Sequence, residues 1–205
     1  MKLLILFSII LFVNPTFGQT NRLMQNKFHF AGELKRWKLT FENFNLKDFS
    51  ITDTLKFENN DRQDFKNIKI FTALYKPIIT YSPDSLQFID IYSSQINLEK
   101  IGNHFKATTD LDQTIYLCNK ETKYWNRIIF RSGTSSWIDE IIWTSKTEFL
   151  LVGINKINGD KRAPVIFVGN TINQTLLEYE MKLETCIQTE IYKSKKLNKM
   201  KIVGL

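Results

Sequence analysis

The sequence predicts an all-β fold, either an antiparallel meander or a twisted β-sandwich. Three observations lead there. Short runs rich in Ile, Val, Phe, Tyr and Thr recur between polar turns. Several of them alternate at period two, as strands with one buried face do. No long segment repeats its apolar residues at helical spacing. The chain has 205 residues, 43% of them apolar. That is enough for a single core and too apolar for a disordered chain.

Residues 1–18 read as a secretory signal peptide: Lys2 is the positive start, 3–13 is apolar except for Ser8, and Thr16 and Gly18 are small residues before a cut. The apolar stretch rises about 16 Å as a helix, against a hydrocarbon core of about 30 Å, so it is too short to span. The mature chain has no apolar run of spanning length. The expected layout is this signal, a poorly ordered segment over 19–35 and one β domain over 36–205. The expected location is outside the inner membrane: periplasmic, cell-surface or secreted.

The predicted strands, in order, are 36–41, 50–57, 67–75, 78–81, 86–92, 114–118, 126–130, 139–144, 148–154, 164–168 and 175–179, with a later pair at 185–193 and 199–203. In the first, Trp37, Leu39 and Phe41 fall on one face at period two. Helical expectations are confined to a turn or two at 24–28 and 94–101. Only eight Gly and four Pro occur, so the turns rely on Asn, Asp, Ser and Lys.

One internal repeat is visible. Residues 78–91 and 141–154 share a pattern of strand, Ser with a polar turn, then strand. Each is followed by a second hairpin, 115–130 in one case and 166–179 in the other. Asn119 and Asn170 hold the same place at the turn. Four antiparallel strands opening on Tyr81-Ser82-Pro83-Asp84 resemble the blade of a β-propeller. In the second unit Trp143-Thr144-Ser145-Lys146 lacks the Pro and Asp. The resemblance covers blade-like repeats near 78–130 and 139–180. It implies an incomplete or small propeller as one form of the meander, because the chain is long enough for about three such blades and a ring needs four or more. Such folds host binding and catalysis alike.

The net charge is +7, and it is uneven. Residues 182–205 hold Lys182, Lys193, Lys195, Lys196, Lys199 and Lys201 against Glu184 and Glu190. Such a cluster suits anionic lipid or a polyanion, or simply a solvated edge. Lys far outnumbers Arg, whereas phosphate-reading sites favour the Arg fork, so nucleic acid is not an expected partner.

Several chemistries lack their residues. Neither phosphate-binding glycine motif is present, and no cofactor is expected. His29 and His104 are isolated, and with two Cys they offer no metal spacing. Residues 132–136 are rich in Ser and Gly without forming a nucleophile elbow. Two acidic clusters remain for acid–base or cation chemistry, Asp110 with Asp112 and Asp139 with Glu140. The pairs Asp61–Asp64 and Glu178 with Glu180 read as solvated.

Trp125, Arg127, Arg131, Trp137 and Trp143 crowd together beside Tyr124. Indoles on an exposed strand face make stacking platforms for sugars, and Arg supplies hydrogen bonds. The same residues also serve as core packing. Cys118 and Cys186 form an even pair, open to a disulfide or to two buried thiols. Asn173-Gln174-Thr175 is a glycosylation sequon only in a host with that machinery. The leading expectation is a non-enzymatic envelope binding module whose partner is an envelope protein or a glycan. The alternatives are a secreted hydrolase of glycan or peptide that uses an Asp/Glu pair from the acidic clusters, and a peripheral protein held on anionic lipid by the C-terminal lysines.

Overall fold

The computed structural model describes residues 22–64, 68–102, 104–133, 135–181, 185–200 and 202–203, with the side chains of 59–64 and 203 left aside. Residues 1–21, which contain the expected signal, and Lys182, Glu184 and Lys201 lie outside these.

The described chain opens with helical turns, among them α1 (Lys27–Ala31) and α2 (Lys35–Lys38). Strand β1 (Phe49–Lys56) then leads to β2 (Glu58–Asp64), and α3 (Ile68–Tyr75) follows. Next come β3 (Thr80–Tyr81), β4 (Gln87–Asp90), the hairpin β5 (Ile96–Ile101) and β6 (His104–Thr109), then β7 (Gln113–Asn119) and β8 (Tyr124–Arg131). The second half holds β9 (Ser136–Trp143), β10 (Glu148–Lys156), β11 (Arg162–Asn170) and β12 (Thr175–Met181), then α4 (Lys195–Lys199) and β13 (Ile202–Val203).

The strands build two five-stranded antiparallel sheets, ordered β1-β12-β11-β10-β9 and β2-β8-β7-β4-β3, and a small sheet β13-β6-β5. Neither large sheet closes on itself. The two proposed units are therefore two four-stranded meanders, β3-β4-β7-β8 and β9-β10-β11-β12. β1 and β2, consecutive in the chain, do not pair with each other among the described residues; β1 adds an edge strand beside β12 and β2 adds one beside β8. Asn119 Oδ1 accepts from the backbone N–H of Glu121 and Thr122 at 2.9 and 3.1 Å. Asn170 Oδ1 accepts from Ile172 and Asn173 at 3.0 and 2.9 Å. Each turn then passes through a positive φ, at Lys123 and at Gln174. The two Asn residues do the same work, offering the backbone a local acceptor.

The core is split by the β9–β12 sheet. One cluster joins Ile89, Ile115 and Leu117 to Ile141, Phe149, Leu151 and Phe167 between the large sheets, and it continues on the far face of β4-β7-β8, where Phe88 and Trp125 pack against Phe71 of α3. The other covers the outer face, where Leu150, Val152, Ile166 and Tyr179 meet Leu23, Phe30, Leu34 and Trp37. A strand buried on both faces reads as a continuous apolar run, which is why Phe149–Val152 and Val165–Val168 do not alternate.

Several local expectations are corrected. The described part of 19–35 is not poorly ordered: its helical turns bury Leu23, Phe30 and Leu34. Residues 36–41 are a helical turn rather than a strand. Trp37 and Phe41 are buried one turn apart, with rings 4.9 Å apart, while Leu39 is 66% exposed. Spacing i, i+4 satisfies both periods, and packing chose the helix. Residues 68–75 are α3, whose Phe71 and Tyr75 stack at 4.7 Å one turn apart. The helical expectation at 94–101 gives way to β5, because Ile96 and Leu98 point into the core while Asn97 and Glu99 face outward. Of the C-terminal pair, 185–193 is irregular with one bridge, Phe41 to Gln188. Among the described residues of 199–203, only Ile202–Val203 is a strand.

Candidate ligand cavity

A cavity of about 470 Å³ opens at one end of the space between the sheets. Its walls come from the chain after β4, the end of β6, the start of β9, the β10–β11 turn and the C-terminal segment. A local backbone network holds these parts. Asp90 Oδ1 accepts from the backbone of Tyr92 and Ser93, both at 3.0 Å. Gln113 donates to the carbonyls of Ile91 and Ile138, each at 2.9 Å, and accepts from Ile138 N–H at 2.7 Å. One buried amide thus ties the exit of β4 to β9, and its donors and acceptor are satisfied there.

β9 carries a bulge at this point. Val152 pairs with Glu140 and Gly153 with Ile138, so Asp139 is the extra residue. Gly153 permits it, since a Cβ there would run into the Trp137 carbonyl. Bulges re-aim side chains next to sites, and here Asp139 is turned to the cavity wall. Its Oδ2 accepts from Trp37 Nε1 at 3.0 Å, and Tyr92 Oη donates to its main-chain oxygen at 2.9 Å. Burial pushes its pKa up to about 7; the Trp37 hydrogen bond opposes this, Glu140 adds to it and Arg162 opposes it. Asp139 is therefore partly protonated at neutral pH.

Glu140, its neighbour, is buried. Tyr192 Oη donates to Glu140 Oε2 at 3.0 Å, and Lys196 Nζ lies 3.5 Å from Oε1. Burial lowers the Lys196 pKa, and Glu140 counters it; burial raises that of Tyr192. Lys196 also donates to Thr80 Oγ1. The C-terminal lysine cluster is thus divided: Lys196 turns inward, while Lys193, Lys195 and Lys199 stay exposed.

Gln95 also lines the cavity. It is 1% exposed, and neither its Nε2 nor its Oε1 has a hydrogen-bond partner. A buried amide left unpaired costs about 1–3 kcal/mol. Trp137, Ile96, Ile154, Asp110 and Arg162 line the same cavity.

The five-residue aromatic–arginine patch does not form one surface. Trp125 is 9% exposed and packs edge-on against Phe71 at 4.9 Å. Trp143 donates to the Thr80 carbonyl at 3.0 Å and meets Phe149 edge-on. Arg127 pairs with Glu58. Arg131 bonds Glu178 Oε1 at 2.9 Å and lies over the Phe167 ring, so Glu178 is not solvated but 13% exposed. Of the five, only Trp137 reaches the cavity. Large indoles in strands buried on two sides are drawn inward by their area.

Cys118 and Cys186 are free thiols in different clusters, Cys118 beside Phe88 and Trp125 on the α3 side of β7 and Cys186 on the outer face of the β9–β12 sheet, so no disulfide joins them. Burial pushes their pKa values up to about 12 and about 11. Of the acidic candidates, Asp110 and Asp139 share the cavity wall, whereas Asp112 is exposed outside it. The side chains of Asp61 and Asp64 lie outside the described residues. His29 bonds Glu33 at 3.2 Å and His104 is exposed. Among the described residues, no group of three His, Cys, Asp or Glu side chains could hold a metal. No described helix is long and apolar enough to cross a membrane.

Gln95, Tyr192 and Arg162 carried no sequence signal. The bulge had one: an isolated Gly in an apolar strand, Gly153. The fold and site define an all-β protein of two facing sheets with a mixed polar and apolar cavity at one end. No family model, curated protein or solved structure matches the chain.

Proposed function

We propose that this is an exported, non-enzymatic binding module of the cell envelope, and that its cavity takes a glycan bearing an acetamido group. The observation that carries this reading is Gln95, whose amide has a donor and an acceptor side by side and no protein partner for either. An amide on the ligand satisfies both at once. Ile96, Ile154 and the Trp137 indole supply apolar surface for the methyl group and the sugar face.

Calorimetric titration with chitotriose and with its de-N-acetylated counterpart tests it. Wild type should bind the acetylated sugar, and Gln95→Leu should lose about tenfold in affinity or more. Gln95→Leu should also gain about 1 kcal/mol in unliganded stability, because an orphaned polar group is removed. Equal affinity of wild type and variant would sink the reading.

One observation favours a second reading. Asp110 and Asp139 come from separate clusters and line one cavity, and burial raises the Asp139 pKa to about 7, into the range a general acid uses. On that reading the protein hydrolyses glycans. Release of reducing ends by wild type and its loss in Asp139→Asn would favour hydrolysis over binding alone.

A further inference from the structure

A second cavity, of about 490 Å³, lies at the opposite end of the inter-sheet space. Its chemistry differs from that of the first. On one side, Gln87 pairs with Asn119, and Asn119 with Tyr124, across β4, β7 and β8. Directly paired residues share a face of a sheet, so these three form a polar row. Leu117 and Asn126 make the next row on the same face. On the other side stand Thr147, Thr171 and Gln174, from the β9–β10 and β11–β12 turns. Asn126 Oδ1 is buried and has no hydrogen-bond partner.

The lining described is free of ionisable carboxylates, lysines, arginines and histidines. Amides and hydroxyls offer paired donors and acceptors without a fixed charge. A charged ligand would lose its hydration there with no counter-charge to replace it. A polyhydroxylated neutral ligand trades water for these groups at little cost, and a hydroxyl on it meets the unpaired Asn126 acceptor. Phe57 and Leu117 supply the apolar surface that a sugar ring face needs. We infer that this second cavity is a binding site for an uncharged oligosaccharide, separate from the Gln95 cavity.

The site also has a structural origin. The Asn119 turn and the Asn170 turn are equivalent parts of the two meanders, and the cavity lies between them. Two copies of one turn type thus face each other across the opening.

The test is NMR titration of the mature chain with maltotriose, cellotriose and mannotriose, each to about 10 mM, with tri-galacturonic acid as the charged control; sites weaker than a Kd of about 1 mM are thereby reached. At least one neutral trisaccharide should shift the side-chain amide signals of Asn126 and Gln174, and the acid should shift neither. Asn126→Leu should weaken that binding by about tenfold. Gln95→Leu should leave it unchanged. Thr171→Val, at the cavity edge, should weaken it too and serves if Asn126→Leu does not fold. The inference is overturned if no neutral sugar moves these signals, if the acid binds as well, or if affinity follows Gln95 instead. Loss of the acetamido-sugar response alone would strike the Gln95 cavity and leave this site standing.

Discussion

The two four-stranded meanders follow one plan and differ in what interrupts them. β9–β12 runs through short turns, and its β10–β11 connection is residues 157–161. In β3-β4-β7-β8 the matching connection is residues 91–112, and it carries the β5–β6 hairpin. That insertion brings Tyr92, Gln95 and Asp110 to the first cavity. The one irregularity of β9, its bulge, brings Asp139. The first cavity is therefore assembled where the repeat is broken, and it is charged and partly unsatisfied. The second cavity sits where the repeat is kept, between equivalent turns, and it is neutral. Departures from a regular scaffold supplied reactive groups; the scaffold itself supplied only amides and hydroxyls.

The sheets differ in cover as well. The β9–β12 sheet is buried on both faces, and its outer cover is the N-terminal helical region, where Trp37 is fully buried. Trp37→Ala should cost about 3–5 kcal/mol in urea unfolding. It should also free Asp139 of its hydrogen bond. A loss below about 1 kcal/mol would mean that these helical turns are not part of the core.

The next effect is on pH. Asp139 binds its proton more tightly folded, near pKa 7, than unfolded, near 3.8. Between those values the native state holds more protons, so this group's contribution to stability falls as pH rises from about 4 to about 7, and is level above. Wild type should be less stable at pH 8 than at pH 5 by about 1–3 kcal/mol from this group, and Asp139→Asn should lose that difference. The same pH slope in both proteins would show Asp139 to be well solvated.

Smaller effects probe the shared plan. Asn119→Ala and Asn170→Ala each remove two turn hydrogen bonds and should each cost about 1 kcal/mol. Unequal costs, beyond about a factor of three, would break the equivalence of the two units. Smallest of all, a reducing agent should leave the melting temperature unchanged, because Cys118 and Cys186 are thiols in separate clusters. A fall in Tm on reduction would place them together.

Much of the β architecture was legible from local pattern. Strands 148–154, 164–168 and 175–179 lie within β10, β11 and β12, and the match of Asn119 with Asn170 is seen in the backbone. The polar strand β2 and the hairpin β5–β6 were not read, since neither carries a strong apolar run. Half of the first site was legible: Asp110, Asp139 and Trp137 were singled out, and all three line the cavity. Trp125 and Trp143 were singled out too, and packing took them inward. Composition says that an indole is present; it does not say which way it faces.

What the chain determined by itself was period and turn chemistry. Both depend on neighbours within a few residues, such as Asn170 and the N–H groups just after it. Tertiary structure decided the faces, the charge states and the cavities. The Asp139 carboxyl is raised by burial among segments distant in sequence, and Trp37 reaches it across a hundred positions. Desolvation is a sum over whatever packs nearby, and no local stretch of sequence contains that sum.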